Sequence, residues 1–293
     1  MFKGSIPALV TPMRDDGAID FVAWDALLDF HLREGTDGIV VGGTTGESPV
    51  LDRAELEELV RRARRRVAGR MPVIAGSGTN GTAKSIALSK AAEAAGADGL
   101  LVVTPYYNKP TQEGLFRHFT AIADSVGLPV ILYNVPGRTA CDMLADTVAR
   151  LSHHPRIVGV KEATGDVARG AAILRQARPG FVLLSGDDPT AADLIRIGAS
   201  GVISVTANVA ARAMHELCAA GLEGRHAAAA AMNERLMPLH KAMFLESNPI
   251  PVKWAVHRMG LIGPGIRLPL TPLSAALHAT LAAAMTGAGI ATA

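Results

Sequence analysis

Cysteine is scarce in this chain: Cys141 and Cys218 are the only two in 293 residues. Two isolated thiols build neither a disulfide framework nor a cysteine zinc site, so a reducing, cytoplasmic setting is the expectation. Net charge is also small. With 29 Lys and Arg against 27 Asp and Glu, the formal charge is +2, which supplies no field for nucleic acid or an anionic membrane surface. Small molecules and further copies of the chain are the expected partners. The opening Met1-Phe2-Lys3-Gly4-Ser5 has no charged leader ahead of a long apolar core, and no signal peptide is expected. The tail from Ser274 is apolar but rich in Ala, Gly and Thr, with His278 inside it; it predicts a packed helix and no membrane span. No His/Asp/Glu grouping has metal-ligand spacing, and His153-His154 before Pro155 reads as a surface turn.

Hydrophobic residues make up 49% of the chain, enough for one large core. Short β-rich runs alternate with helical patterns, each closed by Gly, Pro, Thr or Ser. The runs are 5–10, 38–41, 73–75, 99–103, 130–133, 157–161, 181–185 and 201–205, which makes eight. Between them, 21–33, 54–67, 83–95 and 112–125 have helical spacing. The Arg-rich stretch Arg61 to Arg66 lies late on the second of these, after Glu55, Glu57 and Glu58, and reads as a solvated helix face that complements the dipole. Eight strand-then-helix units predict an α/β fold, a closed (β/α)₈ TIM barrel over residues 1–224, with an open doubly wound sheet as the alternative. Beyond that the pattern is helix alone, at 225–245, 251–260 and 273–285. A small C-terminal helical domain over 225–293 is expected.

In such barrels the chemistry sits where strands end and βα loops begin. Lys161 closes the run Arg156-Ile157-Val158-Gly159-Val160-Lys161. An ordinary lysine amine, with a pKa of about 10.4, is neutral on the order of one part in a thousand at neutral pH. Apolar surroundings favour the neutral, nucleophilic form, which makes Lys161 a candidate Schiff-base lysine. It could instead reach solvent or pair with Glu162. The other lysines, Lys84 and Lys253 among them, are expected on solvated helices or polar loops. All three tyrosines, Tyr106, Tyr107 and Tyr133, fall at the ends of the fourth and fifth strands. The loop Gly42-Gly43-Thr44-Thr45-Gly46-Glu47 offers backbone N–H groups to a carboxylate, or is a plain tight turn. Arg138 can meet a carboxylate bidentately, or can pair with Asp142.

The run Gly76-Ser77-Gly78-Thr79-Asn80-Gly81 fits the dinucleotide fingerprint letter for letter. No acidic residue closes the next strand, so nucleotide binding is not expected. A phosphate site after the seventh strand is also disfavoured, because Ser185-Gly186-Asp187-Asp188 would repel an anion.

These residues together resemble the dihydrodipicolinate synthase family, within the pyruvate-dependent class I aldolase superfamily that also contains N-acetylneuraminate lyase. The resemblance runs from Met1 to about Thr271. It covers Gly43 to Glu47, Val103 to Asn108, Tyr133 to Thr139, Val160 to Gly165, Leu184 to Asp188 and Asn248 to Trp254. It implies that Lys161 forms the imine with pyruvate and that Tyr133 shuttles protons through Thr44 to Tyr107 of a neighbouring subunit. Main-chain groups around Thr44 and Thr45 would hold the pyruvate carboxylate, and Gly186 and Ile203 would line the site through backbone atoms. Arg138 would hold the carboxylate of aspartate-semialdehyde. No metal or organic cofactor is implied, and the assembly would be a homotetramer built as a dimer of dimers. A sugar-acid aldolase or lyase using the same lysine is the alternative within the superfamily.

The resemblance also places Ser48, Pro49, Arg53, Leu56, Asn80, Lys84 and Tyr106 around a regulatory cleft where lysine-inhibited members bind the end product. Those members carry a glutamate at the position of Lys84 and histidines at those of Arg53 and Leu56. Cations at 84 and 53 would repel a lysine ammonium, so feedback inhibition is expected to be weak or absent.

Overall fold

The computed structural model describes residues 2–292. Eight strands are present among the described residues: β1 (Gly4–Pro7), β2 (Ile39–Val41), β3 (Val73–Gly76), β4 (Gly99–Val103), β5 (Val130–Asn134), β6 (Ile157–Glu162), β7 (Val182–Ser185) and β8 (Gly201–Ser204). From β2 to β8 each strand pairs in parallel with the next in sequence, and β8 pairs with β1. A single parallel bridge between Ala8 and Val40 closes the ring between β1 and β2, so the sheet is a barrel and not an open doubly wound one.

The connecting helices are α1 (Phe21–Arg33), α2 (Arg53–Val67), α3 (Thr82–Ala94), α4 (Gln112–Asp124), α5 (Pro136–Thr139), α6 (Ala145–Ser152), α7 (Val167–Gln176), α8 (Ala191–Arg196) and α9 (Ala211–Leu222). Three more follow: α10 (His226–Ala242), α11 (Ile250–Arg258) and α12 (His278–Gly287). The periodic patterns place α1 and β4 to the residue. The first run is shorter than expected, because the Val10 N–H leaves the ladder for Asn208 Oδ1 at 3.0 Å. The expected terminal helix begins later, after a short 3₁₀ turn at Ala275–Leu277.

Successive strand residues point to opposite faces of a sheet. Here one face fills the barrel with Ile6, Val40, Ile74, Leu101, Ile131 and Leu184. The other face, including Ile39, Val41, Val73, Leu100 and Val160, packs on Leu27, Leu59 and Phe119 of the surrounding helices. Helix α2 starts at a capping box in which Asp52 accepts the Glu55 N–H and Glu55 accepts the Asp52 N–H, worth about 1 kcal/mol. Its arginines pair outward: Arg62 with Asp25 at 3.5 Å and Arg64 with Asp98 at 3.0 Å. Half-exposed pairs of this kind contribute little.

The dinucleotide-like glycines have a packing role. A Cβ on Gly76 would lie 2.2 Å from Gly42 O, and one on Gly78 would lie 2.3 Å from Val103 N. Strand β3 can thread between its neighbours only without side chains there. The start of α3 is taken up by its own residues, with the Thr79 N–H donating to Ser85 Oγ at 2.8 Å.

Candidate active site

The register of the central strands sets the site. Tyr133 on β5 stands opposite Lys161 on β6, and Lys161 opposite Leu184 on β7. The pleat turns Tyr133 and Leu184 into the barrel, and Lys161 follows them. Its Nζ lies 4.2 Å from the centroid of the Tyr133 ring, close enough for a cation–π contact when the amine is charged. Lys161 is 5% exposed.

Glu162, next in the strand, faces the other way. It accepts from Asn134 Nδ2 at 3.1 Å and from the Thr164 N–H at 3.0 Å, with Arg169 at 4.0 Å. Burial pushes its carboxyl above the ordinary range, against the pull of those donors. The possible Lys161–Glu162 pair is therefore not made. Arg138 does not pair with Asp142 either, because Asp142 is held bidentately by Arg169 at 2.6 Å on each oxygen. Arg138 Nη2 donates to Asn248 O at 3.3 Å.

A cavity of about 100 Å³ opens at the carboxyl end of the strands, and its wall includes Thr44, Thr45, Tyr133, Arg138, Lys161 and Gly186. Six of the expected site residues thus meet in one place, delivered by strands β5 and β6 and by the loops after β2, β5 and β7. Ile203 belongs to the barrel interior and stands outside this wall. Gly186 is glycine for a reason of space: a Cβ there would lie 2.5 Å from the Ala163 Cβ and 2.9 Å from Lys161 Cε.

Tyr107 is not brought to the cavity. It is 89% exposed, with a left-handed backbone (φ 73°), a conformation unfavourable for a bulky residue and one that clusters at functional sites. Next to it, Asn108 Nδ2 donates to Asn80 O at 2.7 Å.

A larger cleft of about 550 Å³ adjoins the site through Thr44, Val135 and Arg138. Ser48, Pro49, Leu56, Asn80, Lys84 and Tyr106 line it. Arg53 does not, because it turns to Glu57 at 2.7 Å. Asp52, unforeseen in the sequence, does. Of the two cations expected there only Lys84 lines the cleft, which also carries the acid Asp52 and, on the side of the smaller cavity, Arg138.

Sequence reasoning missed the contribution of the C-terminal segment. Phe244 and Asn248 reach the cavity wall, and Asn248 Nδ2 donates to Thr45 Oγ1 at 3.0 Å. Lys253 is a correction. Expected on a solvated face, it is 4% exposed and its ammonium pairs with the buried carboxylate of Glu47. Burial pushes the Lys253 amine down, with Glu47 opposing. Removing one partner of such a pair strands a buried charge, at about 3–5 kcal/mol. The available signal was an acid closing a loop of small residues and a lysine inside the apolar run Ile250-Pro251-Val252-Lys253-Trp254-Ala255-Val256.

Among the described residues there is no cluster of metal-binding side chains and no helix long and apolar enough to cross a membrane.

The sequence profile described as the dihydrodipicolinate synthetase family matches residues 1–288. The chain is 58% identical over 290 residues to 4-hydroxy-tetrahydrodipicolinate synthase of Stutzerimonas stutzeri, covering 99% of each. It is 57% identical over 290 residues to the enzyme of that name from Pseudomonas aeruginosa, again with 99% of each covered. Its fold superposes with a TM-score of 0.98 on the crystal structure of chloride-inhibited dihydrodipicolinate synthase from Acinetobacter baumannii complexed with pyruvate, at 50% identity, covering 99% of this chain and 100% of that one. With the lysine, the tyrosine and the threonine loop gathered at the mouth of a (β/α)₈ barrel, this chain belongs to the dihydrodipicolinate synthetase family.

Proposed function

We propose that this chain condenses pyruvate with L-aspartate-4-semialdehyde to give 4-hydroxy-tetrahydrodipicolinate, the entry step of the diaminopimelate route to lysine. The observation that carries it is the buried Lys161 amine, 4.2 Å from the Tyr133 ring, in a cavity that also holds Thr44, Thr45 and Arg138. The Lys161 amine adds to the keto carbon of pyruvate and water leaves, forming an iminium. The iminium draws electrons, so the methyl group gives up a proton by way of Tyr133 and becomes an enamine. That enamine attacks the aldehyde carbon of the second substrate, whose carboxylate Arg138 holds. The amine of the second substrate then adds to the iminium carbon, and the Lys161 nitrogen departs as the ring closes. Thr44 and Thr45 present N–H groups and hydroxyls to the pyruvate carboxylate, and the tight space beside Gly186 keeps the lysine chain in line with both substrates. The iminium supplies the electron sink that a cofactor would otherwise provide.

The assembly that fits this chemistry is a homotetramer of two tight dimers, with Tyr107 completing the proton path of its neighbour. The exposed aromatic pair Tyr106 and Tyr107, 36% and 89% accessible in the single chain, supports a partner surface. Two buried free thiols, Cys141 and Cys218, support a reducing compartment.

The test is a coupled assay: pyruvate and aspartate-semialdehyde should be consumed with formation of a cyclic product against which a reductase oxidises NADPH. Treatment with pyruvate and borohydride should label Lys161, and Lys161→Ala should abolish labelling. A label on Lys253 with Lys161 unmodified would overturn the mechanism.

A further inference from the structure

The loop that carries Thr44 and Thr45 is tied to the C-terminal helices by a buried ionic strap. Its last residue, Glu47, has φ 60° and ψ 37°, a left-handed turn made by a side-chain-bearing residue. Its N–H donates to Thr44 O at 3.1 Å. Its carboxylate is inaccessible to solvent and is held at both oxygens. Oε1 takes the Lys253 ammonium from α11, and Oε2 accepts the Arg267 N–H at 3.0 Å. Arg267 is itself fixed, donating to Val50 O at 2.7 Å and Gly17 O at 2.8 Å and pairing with Glu55. Asn248, just ahead of α11, joins Thr45 through its side chain and Arg138 through its carbonyl.

A buried ion pair of this kind is a poor source of net stability, since well-packed apolar residues often serve as well. What it fixes is geometry. A left-handed residue persists only where its surroundings over-determine it, and Glu47 sits three residues from Thr44 and two from Thr45. Relaxation of Glu47 toward ordinary backbone angles would swing the N–H groups that face the substrate carboxylate.

We infer that Lys253 is a positioning residue: acting through Glu47, it locks the Thr44-Thr45 loop in its carboxylate-binding shape, so that the C-terminal helices set the affinity for the keto acid. This rests on the function proposed above. A lock on ground-state binding acts on KM and leaves kcat largely alone.

The experiment compares Lys253→Met, Glu47→Gln and the double variant with the wild type, reading KM and kcat for pyruvate alongside the melting temperature. Lys253→Met strands the Glu47 charge and should lower the melting temperature. The double variant removes both charges while the glutamine oxygen still accepts the Arg267 N–H, so its melting temperature should recover. Its KM for pyruvate should nevertheless stay about tenfold above wild type, with kcat within about threefold. Lys253→Arg, which keeps the cation, should restore most of the affinity. A double variant with recovered stability and wild-type KM would overturn the inference, because a merely structural pair would recover both together. Hydrogen exchange on the wild type gives an independent check that needs no variant. Pyruvate should slow exchange in the 44–47 loop and in α11 together, and protection of the loop with α11 unchanged would also overturn it. Borohydride labelling of Lys161 in the wild type separates the two failures. No label means that the proposed function is wrong, whereas a label with an unaltered KM in the double variant removes only the strap.

Discussion

Substituting Gly186 by alanine tests the crowding around the proposed Schiff-base lysine. The added methyl would lie 2.5 Å from the Ala163 Cβ and 2.9 Å from Lys161 Cε, whereas carbons at rest in contact are about 3.5–4.0 Å apart. Relief requires movements of about 1 Å, shared between the strand-end backbone at Ala163 and the end of the lysine chain. Gly186 has no left-handed backbone, so the alanine is not strained on its own account and the effect comes from the clash. Overpacking of this size costs about 1–3 kcal/mol in stability, and a displacement of about 1 Å at a reacting group costs on the order of 100-fold in rate. We predict that Gly186→Ala folds, melts a few degrees lower, and loses about 100-fold in kcat/KM in the coupled assay. Borohydride labelling of Lys161 should slow in parallel. Gly287→Ala is the control, because a methyl there meets nothing within 4 Å. A Gly186→Ala enzyme within threefold of wild-type kcat/KM and labelling rate would refute the claim that this glycine keeps Lys161 in line.

Other outcomes are expected from the same site and its surroundings. Inactive Tyr107→Phe and Lys161→Ala chains, mixed under conditions of proven subunit exchange, should regain part of the activity; no recovery would mean that each chain supplies its own relay. Lysine at millimolar concentration should inhibit weakly, because Lys84 lines the adjoining cleft and two like charges about 4 Å apart cost about 1–4 kcal/mol at dielectrics from water to protein surface. Asp52 in the same cleft offsets part of this, and strong inhibition below millimolar would show that it wins. Burial pushes His31 down to about 3 and His118 down to about 4 from an ordinary 6.5, so the unfolded chain binds these protons first as pH falls. Stability should hold above pH ~6.5 and decline toward 4 and below, by about 1.4 kcal/mol per unit for each imidazole in its window; equal urea midpoints at pH 7 and 4.5 would contradict this.

The eight strands are legible in the sequence because parallel barrel strands are buried on both faces and read as compact β-branched runs between turn residues. Lys161, Tyr133 and the threonine loop are legible for a related reason: polar groups at the ends of such runs stand out. Lys253 is not legible in the same way. Helical spacing around it describes a helix but not which element covers it, and its partner Glu47 lies 206 residues away in the chain. The Asn248–Thr45 contact spans 203 residues and is equally invisible to local pattern. Arg53 shows the opposite error, since a neighbour four residues on, Glu57, takes its charge away from the cleft it was expected to line.

The contacts made by Asn248, Lys253 and Arg267 have a consequence for the order in which the protein becomes competent during synthesis. Every barrel strand has been made by Ser204, and chains generally begin to fold from their first-made part. At that moment the loop after β2 still lacks its ionic anchor, Thr45 its amide donor and Arg138 its carbonyl partner. All three come from residues added at least 40 positions later. A nascent chain can therefore close its barrel around Lys161 while the cavity above it is still incomplete. The proposed Schiff-base amine of an unfinished protein thus meets keto acids without the fitted site that would hold them, and the contacts that complete that site come only once Arg267, 63 residues after Ser204, has been added.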